Sequence, residues 1–232
     1  MPNPPILFVP GLGCTADLFA PQVAALPAER EGRVADHTRG DTIPAIAEAI
    51  LRDAPERFAL CGLSLGGYVA LEMTRQAPER VERLALLDTQ ASPETEAARE
   101  RRLPLIALAE AGRFDEVWRA VWPQSVHPSR QGDMALRAVV ERMATDTGPR
   151  TWLRHVQAIM ARPDARPVLP AIAVPTLVLV GAADQITPPE RAREMVAALR
   201  NGRLVMTPEC GHLSTLERPE AVSAALRQWL AW

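Results

Sequence analysis

The chain has 232 residues, 47% of them hydrophobic, and a formal net charge of −2. That length and apolar content support a single α/β domain with a decorating insertion and exclude a disordered chain. The near-neutral balance leaves no basic footprint for nucleic acid, and no apolar run approaches the ~20 residues that cross a bilayer.

In chain order, Met1 to Pro5 is polar and proline-rich, without the basic region and apolar run of a signal peptide, so a cytoplasmic protein is expected. Ile6 to Val9 is a short β-branched run that reads as a central strand, entering the turn Pro10-Gly11-Leu12-Gly13. Pro21 to Leu26 reads as a helix and Arg33 to Ala35 as a second strand. Asp41 and Thr42 can cap the next helix, with Pro44 in its first turn. Ile43, Ile46, Ala47, Ile50 and Leu51 then form one apolar helical stripe.

Arg57 to Met73, RFALCGLSLGGYVALEM, organises the rest. An apolar strand breaks at Gly62-Leu63-Ser64-Leu65-Gly66 and resumes as a helix. With Gly near 7% of residues, a chance G-x-S-x-G arises in roughly one chain in ten of this length, so its setting decides its meaning. Strand, glycine-bracketed serine and helix together are the setting of a nucleophile elbow. Ser64 would sit at a tight turn, and the helix N-terminus beneath it would favour developing negative charge.

Arg83 to Leu87 is the next strand, closing at Asp88. From Ser92 to Arg166 no strand pattern occurs. Ser92 and Pro93 read as a helix start, Phe114 to Trp122 as an amphipathic helix, Met134 to Met143 as another and Trp152 to Met160 as a further stripe. Strands return at Thr176 to Val180 and Leu204 to Met206, around a helix that Thr187 and Glu190 can open as a capping box. Val222 to Leu230 is the last amphipathic helix. Six strands alternating with helices give a mostly parallel sheet covered on both faces. The expected organisation is a core of residues 1–91 and 167–232, with residues 92–166 as a helical cap over the carboxyl edge, where open α/β sheets bind ligands.

A serine nucleophile needs a base, and the base needs an orienting acid. Of the four histidines, His212 follows the last strand at that edge; His37, His127 and His155 suit structural or solvent roles. Asp184 and Asp88 each follow a strand, and the residues alone leave both open as the acid. Cys14, Cys61 and Cys210 make no disulfide framework, and no CxxC pair or ligand cluster argues for a metal or cofactor. Cys61 reads as core; Cys14 and Cys210 lie near the motifs. Trp122, Met143, Trp152 and Met160, with Trp118, are candidates to wall an apolar substrate site, although packing cap helix on helix would use them equally well.

These pieces resemble the α/β-hydrolase superfamily over almost the whole chain. The carriers are VPGLGC (Val9 to Cys14), CGLSLGGYVALEM (Cys61 to Met73) and APERVERLALLD (Ala77 to Asp88), with VPTLVLVGAADQITPP (Val174 to Pro189) and CGHLSTLERPE (Cys210 to Glu220). Within it the chain looks most like small bacterial esterases and 3-oxoadipate enol-lactonases. The resemblance implies a triad of Ser64, Asp184 and His212, in the order serine, acid, histidine. It also implies an oxyanion hole from the Leu12 and Leu65 backbone N–H groups. The implied activity is hydrolysis of a small or medium carboxylic ester, or of a lactone, with no cofactor and a small-molecule partner. A ligand-binding protein on the same fold is the alternative from another class. Two departures stand out. The two antiparallel strands that usually open the fold are missing, and Pro10-Gly11 replaces a His-Gly pair common in relatives.

Overall fold

The computed structural model describes residues 3–232; Met1 and Pro2, part of the expected leaderless N-terminus, lie outside the described residues. The elements run β1 (Ile6–Val9), α1 (Ala20–Ala24), β2 (Gly32–Val34), α2 (Ile43–Asp53), β3 (Phe58–Leu63), α3 (Leu65–Gln76) and β4 (Val81–Leu87). Then come α4 (Glu96–Glu110), α5 (Phe114–Ser125) and α6 (Met134–Met160), followed by β5 (Thr176–Gly181), α7 (Pro189–Ala198), β6 (Gly202–Thr207), α8 (Ser214–Glu217) and α9 (Pro219–Leu230). The six strands form one sheet in the order β2-β1-β3-β4-β5-β6, every pairing parallel.

The strands are apolar on both sides because helices cover both faces. Leu7, Val9, Leu60, Leu84, Leu86, Val178 and Val180 join one core with the buried stripe of α2 and with α3 and α7. Their alternates Ile6, Phe8, Ala59, Cys61, Ala85, Leu87, Leu177 and Leu179 join a second core with Phe19, Leu226 and Trp229. That is the two-residue period of a strand. Each fully buried large apolar side chain contributes about 1.5–3 kcal/mol, so the sheet is a stiff platform for the loops at its carboxyl ends.

Thr42 caps α2 as expected, its hydroxyl accepting from Ala45 N–H at 3.2 Å. Two expected helix starts are displaced. α4 begins at Glu96 behind Thr95, which accepts from Ala98 N–H. Ser92 instead donates to Gln90 and gives its carbonyl to Arg162 Nε at 3.0 Å, so residues 90–94 are held as loop. Thr187 does not cap α7, whose N-cap position is Pro188. Its hydroxyl is committed to Asp184. The third helical candidate continues to Met160 across a kink at Gly148, where φ is 73°.

No helix among the described residues is long and apolar enough to cross a membrane.

Candidate functional site

Ser64 stands between β3 and α3 with φ 55° and ψ −115°, a left-handed backbone that costs a non-glycine residue energy. Its neighbours hold it there. Ser64 N–H donates to Leu87 O at 3.0 Å, and Thr89 Oγ1 donates to Ser64 O at 2.8 Å. The bracketing glycines are steric requirements. A β-carbon on Gly62 would lie 2.1 Å from Gly66 O, and one on Gly66 would lie 1.9 Å from Val9 O.

The geometry separates the two acid candidates. His212 Nε2 is 3.0 Å from Ser64 Oγ, and His212 Nδ1 is 2.8 Å from Asp184 Oδ2. A carboxylate only accepts, so Nδ1 carries the ring proton and Nε2 is free to take one from the serine. Asp184 also accepts from Ile186 N–H, Thr187 N–H and the Thr187 hydroxyl. Burial opposes its charge, but His212 and these donors overcome that and hold its pKa below the ordinary carboxylate value. For His212, burial alone would favour the neutral ring; the charge of Asp184 and its hydrogen bond outweigh that and raise its pKa from the ordinary value of 6.5.

Asp88 lies close by without touching the His212 ring. Its Oδ1 accepts from Gly181 N–H at 2.9 Å, and its Oδ2 pairs with the Ser214 hydroxyl. Burial, then the charge of Asp184, pushes its pKa up to about 8, so at neutral pH it is an uncharged tie between the ends of β4 and β5 and the histidine loop. That loop is tied elsewhere too. His212 N–H and Leu213 N–H both donate to Ser125 O, and Gly211 N–H donates to Glu217 Oε1.

The Leu12 and Leu65 N–H groups donate to no acceptor among the described residues, and Leu12 lines the cavity that Ser64 opens into. Ser64 opens into a cavity walled by Leu12, Leu105, Trp118, Val121, Trp152 and Ile159 among others. It is small, with a volume of about 110 Å³. Of the candidate walls named from the sequence, Trp152 and Trp118 line it. Trp122 is buried with its indole N–H on Gln131 O, Met143 on α6 is buried in the second core, and Met160 packs against a separate cluster of Ile106, Val117, Trp152 and Val156. Cys14 lines the cavity, but burial pushes its thiol up to about 12, so it is no nucleophile. Cys210 is buried away from it.

Outward, the cavity meets a wider groove that shares Tyr68, Arg102, Leu105, Val121 and Ile186 with it. The groove carries Arg101, Arg102, Arg162 and Arg191 against a single carboxylate, Glu94. Glu94 pairs with both Arg102 and Arg162, and the Arg162 guanidinium lies 4.6 Å over the Tyr68 ring. Arg101 makes no ion pair among the described residues. Its arginines come from α4, from just past α6 and from α7, far apart in the chain. Among the described residues no group of three His, Cys, Asp or Glu could hold a metal ion.

Comparison with known proteins shows the family and the fold. The profile of the Alpha/beta hydrolase family matches residues 6–225. The chain belongs to that family. Its sequence is 27% identical over 239 residues to a pimeloyl-[acyl-carrier protein] methyl ester esterase of Aromatoleum aromaticum, covering 95% of each chain. Its fold superposes on a thermophilic esterase from Thermogutta terrifontis, solved with malate bound, at a TM-score of 0.88 and 29% identity, over 99% of this chain and 90% of the other. It also superposes on the enol-lactonase of Burkholderia xenovorans LB400 at 0.86 and 27% identity, over 99% and 92%. As an α/β hydrolase it has a six-stranded sheet, all-parallel among the described residues.

Proposed function

We propose that this α/β hydrolase is a serine esterase acting on carboxylic esters through an acyl-enzyme on Ser64. The observation that carries the reading is the unbroken line from Ser64 Oγ through the His212 ring to Asp184, at 3.0 and 2.8 Å, opening into an apolar cavity. The relatives named above, two esterases and an enol-lactonase, support an ester or cyclic ester as substrate.

In this reading Ser64 Oγ attacks the ester carbonyl and its proton passes to His212 Nε2. Asp184 holds the tautomer and stabilises the imidazolium. The oxyanion is received by the Leu12 and Leu65 N–H groups, where one preorganised donor is worth roughly 2.7–4 kcal/mol. The leaving alkoxide takes the proton from His212. Water then gives a proton to His212 and attacks the acyl-enzyme, returning the serine hydroxyl and releasing the acid.

The cavity suits a short apolar stretch beside the scissile bond. The arginine groove suits an anionic group at the far end of the same substrate, with Arg101 as an unpaired cation. Arginine favours carboxylate and phosphate over neutral ends. The test is a panel of p-nitrophenyl esters of graded acyl length, lactones of matching size, and monomethyl adipate beside dimethyl adipate, with Ser64→Ala as control. Short esters and the monomethyl ester should be preferred, the latter less so at high salt. Lactones turned over far faster than every open ester would move the assignment to a lactonase. Turnover of nothing in the panel would favour a ligand-binding protein.

A further inference from the structure

We infer that His37 is a positioning residue that aims the oxyanion-hole N–H of Leu12, and that the cap holds His37 in place through His155. The inference rests on the serine-hydrolase reading above.

The peptide between Gly11 and Leu12 carries two groups, the Gly11 C=O and the Leu12 N–H. That unit is planar and trans, so fixing the direction of one fixes the other. His37 Nε2 lies 3.2 Å from Gly11 O, and a carbonyl can only accept, so Nε2 donates. The other donor to Gly11 O is Cys14 N–H from within the same turn, also at 3.2 Å. The turn alone therefore closes on itself, and His37 ties it to the body of the protein. With Gly11 O pulled toward His37, Leu12 N–H points the opposite way.

His37 follows β2 and is buried, and it is itself anchored. His155, on α6 and wholly buried, donates from Nε2 to the His37 carbonyl at 3.0 Å, with the two rings 4.9 Å apart. Burial, with the neighbouring ring adding to it, lowers the His37 pKa to about 3; burial lowers that of His155 to about 4. Both rings are thus neutral at working pH with the proton on Nε2, the tautomer each bond requires. The same turn is pressed from the cap side. A β-carbon on Gly13 would fall 2.4 Å from Cζ2 of Trp118 and 3.4 Å from Cδ1 of Trp152. The oxyanion turn is therefore gripped between the loop after β2 and the cap.

A mis-aimed donor harms the tetrahedral state more than the bound ester, because only the former carries the full oxyanion charge. The test compares His37→Phe, His37→Gln and His37→Asn. Phenylalanine keeps the ring volume without a donor. Glutamine places an amide N–H near the position of Nε2, whereas asparagine falls short of it. The readouts are kcat and KM for p-nitrophenyl butyrate, the Ki of an alkyl trifluoromethyl ketone, which forms an oxyanion on a serine, and the thermal melt.

His37→Phe and His37→Asn should lose about 10- to 100-fold in kcat, with KM within about twofold and ketone affinity falling in parallel. His37→Gln should recover most of both. If His37→Phe does not fold, the glutamine and asparagine pair carries the comparison. Equal kcat and equal ketone Ki in the glutamine and asparagine variants would overturn the inference, as would a loss confined to KM. Ser64→Ala measured alongside separates the two claims. Turnover surviving in that variant ends the serine reading, whereas its loss beside an unaffected His37→Asn ends only the brace.

Discussion

The two sides of Ser64 are held by different means. On the histidine side every group is fixed by directional bonds: Asp184 accepts four, and the loop carrying His212 is tied to Ser125, Glu217 and Asp88. On the cap side the walls are Trp118, Trp152, Leu105 and Ile159, which make packing contacts only. Polar geometry fixes where protons go, because a hydrogen bond weakens steeply off its axis. Apolar walls fix what fits, and they tolerate change in shape more readily than loss of volume. Substitutions on the first side should therefore abolish turnover, whereas those on the second should redirect it.

The largest effect belongs to the nucleophile. Ser64→Ala should cost about 10⁴- to 10⁶-fold in kcat on p-nitrophenyl butyrate with the melt unchanged, since only a hydroxyl is lost. Turnover within tenfold of the native protein would break the contrast at its centre. Next comes the acid pair. Asp184→Asn leaves the ring without its acceptor and should cost about 10⁴-fold. Asp88→Asn should cost under about tenfold, because an uncharged carboxyl with one acceptor toward Gly181 and one group toward Ser214 is replaced by an amide of the same shape. Steady-state kcat for both purified variants decides this, and a larger loss for Asp88→Asn would reverse the assignment.

The cap should respond in another way. Trp118→Ala or Trp152→Ala should change the ratio of rates on long and short acyl chains, measured by kcat/KM across the series, because both rings wall the cavity. Trp122→Ala should leave that ratio alone and destabilise the fold by about 3–5 kcal/mol, read in denaturant melts. An altered ratio in Trp122→Ala would mean that the wall extends further than the cavity does.

Two pH dependences sharpen the comparison. His212 must be neutral to accept the serine proton, and its pKa is raised, so kcat/KM should fall on acidification with a midpoint above 6.5. His37 and His155 have lowered folded-state values, so the unfolded chain binds their protons more readily. Their contribution to stability is full above about pH 6.5 and is lost as pH falls toward about 4 for His155 and about 3 for His37. Melts at pH 7 and pH 4.5 should therefore differ less in His37→Gln than in the native protein.

The core was legible in the sequence because its signals are local. Gly62, Ser64 and Gly66 sit in one turn, and the alternation of Leu84 to Leu87 marks a strand covered on both faces. The residues alone left both Asp88 and Asp184 open, since each follows a strand; the family resemblance implied Asp184, and the direction of the side chains shows which one reaches the ring. The cap walls were half legible. The stripe of α5 marks Trp118 and Trp122 as apolar-facing, but periodicity does not say that one faces the cavity and the other the core. Thr187 illustrates a related limit: its spacing to Glu190 fits a helix cap, yet α7 starts at Pro189 behind Pro188, and Thr187 instead donates to Asp184. That four arginines share one groove and that His37 meets His155 was not legible, because these residues come together only through the fold.

The most direct measurement is peptide mass spectrometry on protein mixed with p-nitrophenyl butyrate and acid-quenched within the first turnovers. A butyryl group on the peptide containing Ser64, absent in Ser64→Ala and accompanied by a burst of one p-nitrophenol per chain, is the expected result. Steady turnover with no acyl group on that peptide, or with one on Cys14 instead, would contradict it.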